Sequence, residues 1–194
     1  MVGMDSAEAM GDFFIIPTQT IESRDVAHRL SIRDTDSFFG GVVPHAFVAT
    51  KIISHGLVGG ASRRPTGWSS AYTDAVRDVV LPGHSAFGLD DARAAGRELL
   101  QHGAVRVKDP LGVGGQGQTV VRSVDELDAC LALCDEREVA RHGLVLERNL
   151  DDVRTRSVGQ VRVGDLRATC IGTQHHTRNG RSSRLWRLRA RSYV

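Results

Sequence analysis

Four glycines, Gly112, Gly114, Gly115 and Gly117, fall within six residues of this chain, and their flanks decide what it can fold into. Before them, Val105 and Val107 alternate with Arg106 and Lys108, the period of a half-buried strand; after them, Thr119-Val120-Val121 resumes strand character. A glycine segment between two strands is a hairpin tip. That excludes a Walker A loop, which needs Gly-Lys-Ser/Thr at a helix start, because Gly117 is followed by Gln118. It also excludes the strand–loop–helix fingerprint of dinucleotide-binding folds, because the next helix signal waits until Ser123. A hairpin tip can bring backbone N–H groups close to a phosphate, but it has no helix dipole to offer. The charge has to come from elsewhere, and Lys108 ends the strand that feeds the loop.

Lysine is rare here. Of 25 basic residues only Lys51 and Lys108 are lysines; the rest are arginines. Codon preference explains the scarcity but not where the two survivors stand. The net charge is +2, yet the last 17 residues hold six arginines (178, 181, 184, 187, 189 and 191) and no acid, so the 177 residues before them, with 19 basic and 23 acidic residues, carry −4. Two readings of this end stand side by side: a contact for the phosphates of nucleic acid or another anionic surface, or an irregular, even non-native, continuation. Hydrophobic residues at 41% and charged residues at 25% match an ordinary globular chain of 194 residues, large enough for one core or two small lobes. No apolar run is long enough to cross a membrane, Met1 to Met10 lacks the pattern of a signal peptide, and Cys130, Cys134 and Cys170 suit a reducing compartment, so the cytoplasm is expected. The cysteines lack the close spacing of a zinc site.

Along the chain, residues 11–17 read as a short buried strand stopped by Pro17, 22–33 as a modest amphipathic helix, 38–43 as a turn and strand, 47–57 as a short helix carrying Lys51, and 70–80 as another helix before Pro82-Gly83. The segment 84–147 is the most regular. It predicts a strand at 84–87, a helix at 91–102 ended by Gly103, a strand at 104–108, the glycine loop, and a strand at 119–122. A capping box, Ser123 with Glu126, opens a helix to about Cys134; a polar stretch, 135–142, leads to a strand at 144–147. Residues 157–163 and 166–172, separated by Gly164-Asp165, read as a hairpin.

Residues 84 to 150 resemble the ATP-grasp superfamily of ATP-dependent carboxylate ligases. The resemblance is carried by Lys51, His84-Ser-Ala-Phe87, Asp90-Asp-Ala-Arg-Ala-Ala95, Val105-Arg-Val-Lys108, Gly112-Val-Gly-Gly-Gln-Gly117, Ser123-Val-Asp-Glu-Leu127 and Leu144-Val-Leu-Glu147-Arg-Asn-Leu150, in that order. The wider stretch from Val43 to Arg178 is also similar to an uncharacterised bacterial ATP-grasp-like family. The resemblance implies an α+β, two-lobed ATP-grasp-like fold and ATP as the ligand. Lys51 and Lys108 would neutralise phosphates, Gly114, Gly115 and Gly117 would close over them, Glu147 would accept a hydrogen bond from the adenine amino group, and the backbone of Asn149 and Leu150 would lie beside the base.

The chain departs from that family in two places. The acidic residue expected to bind ribose after the hinge glutamate falls on Arg154, with only Asp151 and Asp152 nearby, and no acid follows Asn179, so the magnesium ligands of the large lobe are missing. The expected organisation is therefore a preceding region (1–80), a complete small lobe with its glycine hairpin (81–150), the start of an incomplete large lobe (151–177) and a basic tail without regular structure (178–194), as in a chain cut short. The expected function is nucleotide binding without ligase turnover. The acceptor would be a small-molecule carboxylate of unread identity, for which Arg162, Gln174 and Arg178 are candidates. The alternative is a non-catalytic binding module that contacts nucleic acid through its tail.

Overall fold

The structure, a computed structural model, describes residues 14–34, 36–112, 116–151, 153–163, 165–178 and 184–193. It mixes helices and strands, as the α+β reading requires. Its centre is a four-stranded antiparallel sheet of β1 (Gly83–Ala86), β2 (Val105–Lys108), β3 (Gln118–Val121) and β4 (Leu144–Arg148), ordered β1-β4-β2-β3.

The two faces of this sheet have different covers. Val105, Val107, Val121, Leu144 and Leu146 point to one face, where Ala92, Ala95 and Leu99 of a helix (Leu89–Leu100) and Leu127 and Leu131 of another (Val124–Ala132) complete a buried cluster. Val145, between Leu144 and Leu146 on β4, points the other way into a second cluster with Phe47, Ile52, Trp68 and Phe87. β4 is thus apolar on both sides, which is why Leu144-Val145-Leu146 runs without alternation. The second face is covered by Phe47, Ile52 and Trp68, with Val48, Ile53 and Leu57 packed against them, and Leu57 adds a single parallel bridge to Ser85 on the outer edge of β1. Residues beyond that cover on the same face are Arg106, Lys108 and Glu147.

Local signals explain most boundaries. The Ser123 hydroxyl accepts from the Glu126 amide at 3.1 Å, while the Glu126 carboxylate accepts from Arg122 N–H at 2.8 Å rather than from Ser123, so the box closes one residue further out. Gly103 follows its helix at φ 134. The glycine segment joins β2 to β3 with Lys108 paired to Gln118, a hairpin tip as read.

Several expectations change. The helix expected at 22–33 is only Arg24–Arg29, capped by Ser23 and followed by Ser31 at φ 56. Of the strand expected at 11–17, residues 11–13 lie outside the described residues; the rest is one bridge between Ile15 and Phe38, and Ile16 is exposed. The segment carrying Lys51 is not an α-helix but two 3-10 turns, Ala46–Ala49 and Lys51–Ser54. Between them Thr50 is extended, its hydroxyl donating to Phe47 O at 2.9 Å and accepting from Ile52 N–H at 3.2 Å, a local alternative to the helix ladder that β-branched neighbours favour. The polar stretch 135–142 is a helix, Glu136–His142, whose N-terminal amides at Arg137 and Glu138 are capped by the Asp135 carboxylate.

The C-terminal part forms a separate three-stranded antiparallel sheet of β5 (Thr155–Val163), β6 (Leu166–Arg178) and β7 (Arg184–Tyr193). The expected hairpin is present, with Val163 paired to Leu166. Residues 184–193, read as irregular, are instead a strand paired to β6 from Thr169↔Tyr193 to Arg178↔Arg184. The alternation of Arg187, Arg189 and Arg191 with Leu188 and Ala190 suits a strand.

Candidate functional site

The half-covered face of the central sheet holds a cavity of about 250 Å³. Its polar wall is Lys51, Ser54, His55, Lys108 and Glu147; Val145 forms the floor, and Val80 and Leu81 close the side that leads into β1. Both lysines of the chain therefore line one cavity, brought there by unrelated elements.

Each is held by a specific contact. Lys108 ends β2 with its side chain on the face away from the helices, and its ammonium pairs with Glu147 Oε1. Glu147 comes from β4, where it stands opposite Arg106, so it meets Lys108 on the diagonal of the ladder. The other carboxylate oxygen, Oε2, lies 3.4 Å from His55 Nε2. Lys51, at the start of its 3-10 turn, reaches across to the hairpin and donates to the Gly112 carbonyl at 3.0 Å. Burial lowers the Lys51 ammonium below the usual lysine range, and the neighbouring charge of Lys108 adds to this, against the pull of Asp109 and Glu147. For Glu147, burial works to raise the carboxyl, but hydrogen bonds from His55 and Lys108, with their charges, outweigh it and hold Glu147 below the usual carboxylate range.

The base of the glycine hairpin is rigidly tied. Asp109 N–H donates to Gly117 O at 2.7 Å, Gly112 N–H donates to Asp109 O at 3.1 Å, and the Asp109 carboxylate accepts from Leu111 N–H at 2.8 Å. Gly117 adopts φ 65, and a methyl group on Gly112 would come within 2.4 Å of Gln116 O, so glycine is required at both ends of the loop. Gly114 and Gly115 lie outside the described residues.

Asn149 and Leu150 do not line the cavity. The Asn149 amide N–H is spent on Ala104 O at 2.8 Å, and its side-chain oxygen accepts from Arg106 at 2.6 Å. Arg106 also donates to Gln118 at 3.0 Å, so its guanidinium braces the outer rim between β3 and the end of β4. Leu150 is exposed.

His55 was not legible as a site residue. It is 5% exposed and sits four residues after Lys51, before a glycine whose carbonyl accepts from Ser85 N–H at 2.8 Å. The Ser85 hydroxyl also donates to Ile52 O. These two contacts fix the end of the 3-10 segment against β1, and they place His55 over Glu147. Among the described residues, no group of three or more His, Cys, Asp or Glu side chains is arranged to hold a metal ion, and no helix is long and apolar enough to cross a membrane.

The two ammonium groups of Lys51 and Lys108 thus converge on one sheet face at the base of the glycine hairpin. The chain belongs to the family described as a protein of unknown function (DUF3182), whose model matches residues 3–186. Comparison with curated proteins gives no match.

Proposed function

We propose that the cavity binds the phosphates of a nucleotide, ATP by resemblance, in an ATP-grasp-like arrangement whose small lobe is the central sheet with its helices and whose large lobe begins with β5. The carrying observation is that Lys51 and Lys108, the chain's two lysines, line the same cavity at the base of the glycine hairpin. A lysine is a compact, rotatable point charge suited to a phosphate oxygen. In this reading an incoming phosphate takes over the Lys108 ammonium from Glu147 and the Lys51 ammonium from Gly112 O, and Glu147 turns toward the base.

Size supports the same division of labour. Sites for drug-sized ligands span about 300–1,000 Å³, so a cavity of about 250 Å³ suits the charged end of the nucleotide while the base extends along the rim. The charged groups on the wall favour phosphate over a bare metal cation. The proposal is therefore for binding, and it includes no transfer step.

Thermal-shift titration with ATP, with and without magnesium, tests this. At ligand a hundredfold above its dissociation constant, binding adds about 2.7 kcal/mol to stability, a rise of several degrees for a chain of this size. Lys108→Ala and Lys51→Ala should each lose most of that rise while melting as cooperatively as the parent. A parent chain that shows no rise with ATP removes the proposal.

A further inference from the structure

The phosphate reading leaves two polar wall residues, Ser54 and His55, without a role, and His55 is the ionisable one. Its burial is almost complete, it bears no relation to the glycine loop, and its ring nitrogen faces the oxygen of Glu147 that Lys108 does not use. Room for it was made on the opposite side: a methyl group on Gly83 would lie 3.0 Å from His55 Cε1. We propose that His55 is a positioning residue that sets how much of the Lys108 charge an incoming phosphate meets, by gaining or losing a proton against Glu147. This inference rests on the reading of the cavity as a phosphate site.

The charges facing the cavity can be counted from each element packed around it. The 3-10 turn supplies Lys51 and His55, β2 supplies Lys108 and β4 supplies Glu147, while Asp109 at the hairpin base acts on Lys51 without lining the cavity. Arg106 on the same face is engaged by Gln118 and Asn149, and Val80 and Leu81 bring no charge. With His55 neutral, the lining holds two ammonium groups and one carboxylate and carries one positive charge. With His55 protonated it carries two. The imidazolium also competes for the Glu147 carboxylate, so the Lys108 ammonium is freer to leave it. Histidine is the side chain that changes charge between about pH 5 and 8. A phosphate-like dianion is therefore bound more tightly when His55 is protonated, and affinity rises toward low pH.

Sulfate is the probe, because it stays a dianion throughout this range while phosphates titrate. NMR titrations of the full chain at pH 8 and pH 5.5 should show sulfate binding about tenfold tighter at the lower pH, the effect of one added charge at intermediate screening. His55→Gln, which keeps a donor but cannot titrate, should bind at the weaker level at both pH values. Glu147→Gln, which removes the competitor for Lys108 and one negative charge, should bind more tightly than the parent at pH 8. Reciprocity requires that saturating sulfate raise the midpoint of the His55 ring signals by about one pH unit in the parent chain. That measurement needs no variant and stands even if a substitution prevents folding. A flat parent profile, a slope retained in His55→Gln, or a His55 midpoint unmoved by sulfate overturns the inference. If ATP binds but sulfate affinity is flat with pH, only the role of His55 falls. If neither ligand binds at either pH, the phosphate-site reading falls with it.

Discussion

Gly83 stands directly opposite Glu147 in the β1–β4 ladder, and the absence of a side chain there is what lets the buried His55 ring lie against that strand pair. A methyl group on Gly83 would meet Leu146 O at 2.6 Å and Glu147 Cβ at 3.0 Å, as well as His55. The first of these is backbone in the middle of a sheet and cannot give way. Replacing glycine by alanine in a strand ordinarily gains up to about 1 kcal/mol by restricting the unfolded chain. Here the overlap should win, and Gly83→Ala should lose about 1–3 kcal/mol, the usual cost of overpacking. Urea denaturation checks this: the midpoint should fall with the slope unchanged. A midpoint at or above the parent's would show that β1 and β4 can part at this point without cost.

Glu147 links the site to acid stability. Its carboxyl is held below the usual range in the folded chain, so the folded state binds its proton less readily than the unfolded state does. Stability from this group is therefore fully present above the unfolded carboxyl value, near pH 4.3, and is lost as pH falls through the folded value. Urea midpoints of the parent chain measured from pH 6 down to pH 3 should decline more steeply than those of Glu147→Gln. At pH 7 the variant should be less stable by about 1–2 kcal/mol, because Lys108 and His55 lose a charged hydrogen-bond acceptor. Parallel declines in the two chains would mean that Glu147 does not carry the linkage.

What the sequence revealed depended on how local the cause was. The β2–β3 hairpin was legible because Val105 and Val107, the glycines and Thr119 to Val121 lie side by side in the chain, and the Ser123–Glu126 pair announces its helix within four residues. The Asp135 cap and Gly143 at φ 80 bracket the helix Glu136–His142 by the same rules, but its polar composition hid it. The 3-10 form around Lys51 follows from Thr50 bonding its own neighbours, which competes with a helix that the apolar spacing alone would allow. His55 was beyond reach for a different reason. Its partner Glu147 comes from another strand, and the room for it comes from Gly83 on a third element, so nothing near His55 in the chain distinguishes it from an ordinary core histidine. Asp91 is similar. It shares the first turn of its helix with Asp90, yet it is buried and accepts from Ser62 N–H at 2.9 Å, the Ser62 hydroxyl at 3.0 Å and Arg63 N–H at 3.0 Å, which ties Ser62 and Arg63 to that helix.

The helix pair that supports the site from behind offers a test of packing against propensity. Gly96 lies inside the helix Leu89–Leu100, where alanine is ordinarily better than glycine by about 1 kcal/mol. At this position, though, a methyl group would come within 2.5 Å of Leu127 Cδ2 and 2.8 Å of Cδ1 on the neighbouring helix. Leu127 has no exposure, so its side chain has nowhere to turn. Gly96→Ala should therefore destabilise the chain by about 1–2 kcal/mol despite its better propensity. Leu127→Ala alone should cost about 2–5 kcal/mol through the cavity it leaves. The double variant should be less damaged than the sum of the two, because the new methyl group partly fills that cavity. A double-mutant cycle by urea denaturation reads the coupling directly, and a value of at least about 1 kcal/mol is expected for residues in contact. Additive effects would show that the two helices do not approach each other through Gly96.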